Sequence, residues 1–90
     1  MRQQQGELPE ALRYYEDVLK IYRALAGDVH PAVADTLWNM ANVLEAMDRQ
    51  ADAKPLYSVT VAIYKRVFDP THSKTLRSEA AVSRLEAAGF

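Results

Sequence analysis

The chain has 90 residues, a formal net charge of −1 and no cysteine, which excludes disulfides and thiolate metal sites. Acidic and basic residues are interspersed, which argues against a nucleic-acid-binding face, and no apolar run approaches the roughly 20 residues of a membrane span. The sequence therefore predicts a soluble, cytoplasmic protein of one domain, over residues 1–90, that binds neither nucleic acid nor membrane.

The first predicted helix covers about residues 8–26. Pro9 suits its first turn, where the missing N–H is not needed. Gly27 is expected to end it, because glycine readily adopts the left-handed conformation that follows many helix ends. Its apolar residues recur at steps of three and four, which is typical of an amphipathic helix, and they are Leu8, Ala11, Leu12, Tyr15, Val18, Leu19, Tyr22, Leu25 and Ala26.

A second helix is predicted to begin at Pro31 and to end at the polar turn Asp48-Arg49-Gln50. The third helix is expected to start near Ala51. Pro55 would cost about 3 kcal/mol as an interior helix breaker, so it is assigned to the first turn. The predicted core side of the second helix consists of Val33, Leu37, Met40, Ala41 and Leu44.

Asp69-Pro70-Thr71 then breaks the chain, and a fourth helix is predicted over about residues 73–88. No segment alternates polar and apolar residues with a period of two, so no strand is expected. The connections are short, and neighbouring helices should therefore pack antiparallel. The apolar side of the fourth helix is weaker than the others and consists of Leu76, Ala81, Val82 and Leu85.

When the sequence is aligned with itself at an offset of 42 residues, several positions carry the same residue type. This indicates an internal repeat of two helices. Gln3-Gln4-Gln5-Gly6 is interpreted as the end of a preceding helix. The chain then contains half a pair over about residues 8–26, a full pair over about 31–68, and a further half pair over about 73–88 of a longer array. The matching pairs include Ala11 and Ala53, Tyr15 and Tyr57, Ile21 and Ile63, Tyr22 and Tyr64, and His30 and His72.

Ala53 and Tyr57 resemble the small and aromatic positions in the second helix of a tetratricopeptide repeat, and Leu37, Met40, Ala41 and Leu44 resemble the matching positions of its first helix. The 42-residue period and the loop Gly27-Asp28-Val29-His30-Pro31 resemble the long repeat of kinesin light chains and similar proteins. The resemblance implies an all-α fold in which four helices form antiparallel helix-turn-helix repeats, stacked as a short right-handed superhelix.

The sequence departs from the family pattern in two places that matter. Asp48-Arg49 replaces the usual glycine turn, and Ala81 stands where Asn39 stands in the full repeat. The fourth helix is therefore interpreted as a terminal cap with a less typical surface.

The resemblance also implies a scaffold that binds a peptide or a partner protein in a concave groove. An asparagine amide offers both donors and an acceptor, so Asn39 is predicted to clamp a peptide backbone. The simpler alternatives are that Asn39 faces solvent, that Trp38 packs on a neighbouring helix, and that the arginines are a solvated face. The candidate partner-binding residues are Asp35, Trp38, Asn39, Asn42 and Glu45 on the second helix with Arg77 and Arg84 on the fourth.

No catalytic activity, cofactor or metal is expected. His30 and His72 recur at equivalent loop positions, but no nucleophile motif accompanies them and a metal would need more ligands at short spacing. Both are predicted to pack at helix starts. The alternative function is a structural spacer or self-association segment, in which exposed terminal helix faces pair as a homodimer.

Overall fold

The computed structural model describes residues 7–90, which form four α-helices and, within that range, no strand. The helices are α1 (Glu7–Ala26), α2 (Pro31–Ala46), α3 (Gln50–Val67) and α4 (Ser73–Ala87). Each packs against the next one along the chain. The predicted all-α fold of four stacked helices is confirmed. The helix end predicted at Gln3-Gln4-Gln5-Gly6 lies outside the described residues.

Histidines cap the starts of α2 and α4. The Nδ1 atom of His30 accepts a hydrogen bond from the Ala32 N–H at 3.0 Å, and Nδ1 of His72 accepts one from the Lys74 N–H at 3.1 Å. The first N–H groups of a helix have no partner inside the helix, so these bonds satisfy one group at each start. The prediction that both histidines lie at helix starts is confirmed.

Left-handed residues end three of the helices. Gly27 follows α1 with φ 85°, and Gly89 follows α4 with φ 97°. Asp48 takes the same role after α2 with φ 64°, and the next N–H, of Arg49, donates to the Leu44 carbonyl at 2.8 Å. This pair of features is a Schellman motif, which satisfies carbonyls at a helix end. The turn that lacks the usual glycine therefore still adopts the glycine conformation.

Pro55 lies deeper in α3 than the sequence predicted. The helix begins at Gln50, so Pro55 is its sixth residue and falls in the second turn. A proline there has no N–H to donate to the carbonyl four residues earlier, which belongs to Ala51. Ala51 is exposed, so water can bond to that carbonyl, and the helix continues through Pro55 to Val67.

The core lies along one side of α2 and forms two clusters, one mainly at its N-terminal part and one at its C-terminal part. The predicted core side of α2 is buried throughout, because α1, α3 and α4 surround it. The first cluster contains Leu19, Val33, Ala34, Leu37, Met40, Ile63 and Tyr64. The second contains Ala41, Leu44, Ala53, Tyr57, Ala81 and Leu85.

The outer helices are less covered than their apolar patterns suggest. On α1, Leu8 and Leu19 are buried, but Leu25 is 80% exposed. On α4, Leu85 is buried while Leu76, which was assigned to the core side, is exposed. The reason is that among the described helices α1 packs mainly on α2, and α4 mainly on α3.

Candidate functional site

Side-chain contacts join α2 to α4 in a regular ladder. The two helices run in the same direction, because α3 reverses the chain between them. Their contacts therefore repeat at a constant separation in sequence. Each of three rungs joins residue n to residue n + 39, and the pairs are Asp35 with Lys74, Trp38 with Arg77, and Glu45 with Arg84.

The strongest rung is the pair of Glu45 and Arg84. Two guanidinium nitrogens of Arg84 donate to the two Glu45 carboxylate oxygens at 2.7 and 2.9 Å. This two-bond geometry holds both groups in one orientation. The pKa of Glu45 is lowered, chiefly by the bond from Arg84 with a smaller effect of Tyr57, against a raising effect of burial. The carboxylate therefore remains charged under ordinary conditions.

Trp38 of α2 packs against both α3 and α4. Its ring lies 5.0 Å from the Tyr57 ring, and the guanidinium carbon of Arg77 lies 4.6 Å from its centroid. Packing on neighbouring helices was the alternative considered for this residue, and it describes the observed contacts. The pair of Trp38 and Arg77 remains accessible to solvent, because Trp38 is only half-buried and Arg77 is exposed.

The hydroxyls of two buried tyrosines of α3 contact polar side chains of α2. The Tyr64 hydroxyl donates to the Asp35 carboxylate. The Tyr57 hydroxyl oxygen lies 2.6 Å from the Asn42 amide oxygen and 2.8 Å from a Glu45 carboxylate oxygen. A phenol has one proton and donates to one acceptor at a time. Burial, and then the bonded carboxylate, raise the pKa of both tyrosines.

A break in the ladder occurs at Asn42. The residue at n + 39 is Ala81, whose methyl side chain cannot reach across to form a rung. The Asn42 side chain is exposed, whereas Ala81 is buried beneath this surface. Arg77 and Arg84 lie one turn before and one turn after Ala81. We call this position the amide gap: the exposed Asn42 amide, the Ala81 methyl, and the two flanking guanidiniums.

Asn39 lies apart from the other predicted site residues. It is exposed and lines a groove between α1 and α2, with Tyr14, Tyr15 and Tyr22 on the opposite wall. Asp35 borders both this groove and the ladder. The structure therefore brings six of the seven predicted residues together on α2 and α4, and places Asn39 on the other side of α2.

Sequence reasoning missed Lys74, Tyr57 and Tyr64 as members of this site. The tyrosines were interpreted as packing residues whose hydroxyls reach the edge, and those hydroxyls lie within bonding distance of Asp35, Asn42 and Glu45. Lys74 had a signal that could have been found. The spacing from Lys74 to Arg77 and Arg84 on α4 equals the spacing from Asp35 to Trp38 and Glu45 on α2.

The helices form pairs that stack around one continuous core, and the first helices of successive pairs, α2 and α4, lie side by side. This arrangement defines a helical repeat array. Residues 1–66 match the family model described as tetratricopeptide repeat. The chain belongs to the tetratricopeptide repeat family. No curated protein and no solved structure matches it significantly.

Tetratricopeptide repeats generally mediate protein–protein interactions and form a non-catalytic repeat family. Within residues 7–90, no helix is long and apolar enough to cross a membrane.

Proposed function

We propose that this protein binds a peptide or an extended segment of a partner protein along the face formed by α2 and α4. The observation that carries the proposal is the amide gap. The Asn42 amide nitrogen can donate to a ligand carbonyl, and its oxygen, which lies 2.6 Å from the Tyr57 hydroxyl, has a second lone pair to accept a ligand N–H. The amide can therefore hold a backbone without reading the side chains. The neighbouring rungs keep α2 and α4 in register around the amide.

The charges around the amide gap favour an acidic ligand. The Arg77 guanidinium lies over the Trp38 ring and forms no ion pair with a described residue. A guanidinium that stacks by its face still has its edge N–H groups available for a carboxylate. Arg84 already holds Glu45, and that pair fixes one border of the site. A ligand carboxylate is therefore expected at Arg77.

Asn39 keeps a separate role in this proposal. It is exposed on the far side of α2, one residue after Trp38 in sequence. A ligand that bends over α2 from the amide gap could also bond to the Asn39 amide. Clamping by Asn39 alone would instead place the ligand in the groove between α1 and α2.

The repeat type and the compartment are further parts of the proposal. The loop that ends in His30 and Pro31 resembles the long repeats of kinesin light chains, and its histidine caps α2. The equivalent His72 caps α4, which supports one repeated long loop. A cytoplasmic setting agrees with the absence of cysteine from the sequence.

The alternative of self-association has little support at α4. Shifting the α2 core residues Leu37, Ala41 and Leu44 by 42 places them on Glu79, Ser83 and Glu86. Glu79 also forms an ion pair with Lys65 of α3 at 2.9 Å. An ion-paired polar surface is poorly suited to stacking of another helix. A homodimer would form more readily at α1, which carries four of the exposed large apolar residues, Tyr14, Ile21, Tyr22 and Leu25.

Selection from a library of natural disordered peptides, followed by calorimetry on the selected peptides, tests this function. Replacing Asn42 with alanine should weaken binding about tenfold, because one or two hydrogen bonds are lost. Ser58→Ala, on the exposed side of α3, is the matched control and should bind as the unaltered chain does. Selected peptides that bind equally well to Asn42→Ala would refute the site, and selection of no peptide would refute the function.

A further inference from the structure

The Tyr57 hydroxyl lies between two side chains of α2 and has a proton for only one of them. Its oxygen is 2.6 Å from the amide group of Asn42 and 2.8 Å from a carboxylate oxygen of Glu45. The Tyr57 side chain is 0% exposed, so solvent does not supply a second proton at this point. The direction of the phenol proton therefore decides which bonds the two neighbours make.

Glu45 is the stronger acceptor for this proton. The Arg84 guanidinium holds the pKa of Glu45 below its usual range, so the carboxylate is charged. A hydrogen bond to a charged oxygen is roughly twice as strong as one to a neutral amide oxygen. If the proton pointed to Asn42 instead, an anionic oxygen would face the phenol oxygen at 2.8 Å with no hydrogen between them. The phenol therefore donates to Glu45.

This direction of the proton has a consequence for the Asn42 amide. With its oxygen at the inner position, the amide would face the phenol oxygen at 2.6 Å with no hydrogen between them. A half-turn of the amide exchanges its oxygen and nitrogen in place. The inner nitrogen then donates to the phenol oxygen, and it needs to move outward by only about 0.3 Å to reach the usual N–H···O length of about 2.9 Å.

We propose that Tyr57 orients the Asn42 amide with its nitrogen inward and its oxygen outward, so that the amide gap accepts a hydrogen bond from a neutral N–H of the bound peptide. The bonds run in one direction, from the Asn42 N–H to the Tyr57 oxygen and from the Tyr57 O–H to Glu45. Arg84 holds the same carboxylate from the other side. Each donor in this chain meets an acceptor, and bonds in such chains strengthen one another. Tyr57 is a positioning residue, because it acts on the ligand through Asn42.

The chemistry around the outward oxygen defines the group that it takes from the ligand. Both lone pairs of the Asn42 oxygen are then free for the ligand. Arg77, which forms no ion pair with a described residue, flanks this position and repels a cationic donor such as a lysine side chain. A backbone N–H is a neutral donor and fits here, whereas a proline has no N–H to offer. This choice of ligand group rests on the proposed function, but the orientation of the amide does not.

Side-chain NMR of the free, nitrogen-15-labelled chain tests the orientation. The Asn42 amide protons should show nuclear Overhauser contacts to the Tyr57 ring protons. Tyr57→Phe removes the acceptor of the inner N–H and should raise the solvent-exchange rate of these amide protons about tenfold. Tyr64→Phe is the matched control, because it loses a buried hydroxyl that bonds to Asp35, and it should leave this rate unchanged. An amide without contacts to the ring protons, or a rate that is unchanged in Tyr57→Phe, would overturn the proposal.

Glu45→Leu tests what fixes the orientation. Without the carboxylate, the phenol proton points to Asn42, so the amide should turn over and lose its contacts to the Tyr57 ring protons. Arg84→Ala is the control, because it leaves the carboxylate in place and should keep those contacts. Contacts that persist in Glu45→Leu would contradict the proposed route from Glu45 through Tyr57 to the amide.

An ester scan tests the ligand group. The tightest peptide from the library selection is remade with each backbone N–H in turn replaced by an ester oxygen, and calorimetry measures the affinity. At one position the ester should bind the unaltered chain about tenfold more weakly than the parent peptide, and should bind Asn42→Ala as well as the parent does. The absence of such a position would rule out a ligand N–H at the amide gap. Selection of no peptide would refute the proposed function alone, since NMR on the free chain decides the orientation separately.

Discussion

High pH should destabilise this fold through the two buried tyrosines, and Tyr57 shows the size of the effect. Its ring is 0% exposed, and burial with the bond to Glu45 raises its pKa above the ordinary value of 10.0. A group whose folded pKa is raised contributes stability that is present below its unfolded pKa. That stability is lost as pH rises from the unfolded pKa toward the folded one.

The magnitude follows from the proton that only the unfolded chain releases. At pH 11 the unfolded chain gains about 1.4 kcal/mol from ionisation of one ordinary tyrosine, whereas the folded chain gains little. The free energy of unfolding should therefore fall by about 1.4 kcal/mol for Tyr57 alone between pH 8 and 11. Tyr64, which bonds to Asp35, should add a similar amount.

Urea unfolding at pH 8, 10 and 11, followed by circular dichroism, measures this effect. Tyr57→Phe should lower stability at pH 8 by about 1–2 kcal/mol, because the bond to a charged group is lost while the ring packing is kept. Its stability should then fall less steeply with pH than that of the unaltered chain, by about 1.4 kcal/mol at pH 11. Other groups titrate alike in both proteins, so the comparison cancels them. Parallel pH curves for the two proteins would refute the reasoning.

Two further predictions concern α2 and its end. Arg84→Ala should cost less than about 1 kcal/mol at pH 7, because the guanidinium is largely exposed. The pKa of Glu45 is lowered from 4.5, so this contribution is fully present above about pH 4.5 and is lost as pH falls through the folded pKa. Urea unfolding at pH 7 and 3 should therefore show a smaller difference between the two proteins at pH 3. Asp48→Gly should stabilise the chain by about 0.5–1 kcal/mol, since glycine adopts the φ of 64° without a side-chain clash, and a lower thermal midpoint would contradict this account.

Local signals in the sequence were enough to predict the helices. Pro31 starts α2, and Gly27 and Gly89 follow α1 and α4, because each acts on the backbone next to it. Pro55 was misplaced because the local rule treats a lost N–H as costly at every position beyond the first turn. The carbonyl it leaves free belongs to exposed Ala51, which water can reach, so the cost is smaller than the rule assumes.

Burial was harder to predict than helix bounds. The pattern on α2 predicted its core side because packed helices surround it. The same kind of pattern on α1 predicted burial of Leu25, which is 80% exposed. Periodicity reports which side of a helix is apolar. Whether that side is covered depends on the neighbouring helix, which a local pattern does not contain.

The candidate site could be predicted in part for a similar reason. The residue types on α2 were identified, but their partners on α4 follow from an offset of 39, which differs from the repeat of 42. Asn39 was grouped with Trp38, although consecutive helical residues point about 100° apart. Trp38 therefore faces α4 while Asn39 faces α1.

The exposed sides of α1 and α4 differ in chemistry, although both helices belong to the same kind of repeat. At α1, covering Ile21 and Leu25 with apolar side chains would contribute about 1.5–3 kcal/mol each when burial is complete. At α4, covering Glu79 and Glu86 would instead remove from water two carboxylates that form partly exposed ion pairs with Lys65 and Lys54, and this desolvation costs free energy. Apolar side chains would therefore be favoured against the exposed side of α1 and disfavoured against that of α4.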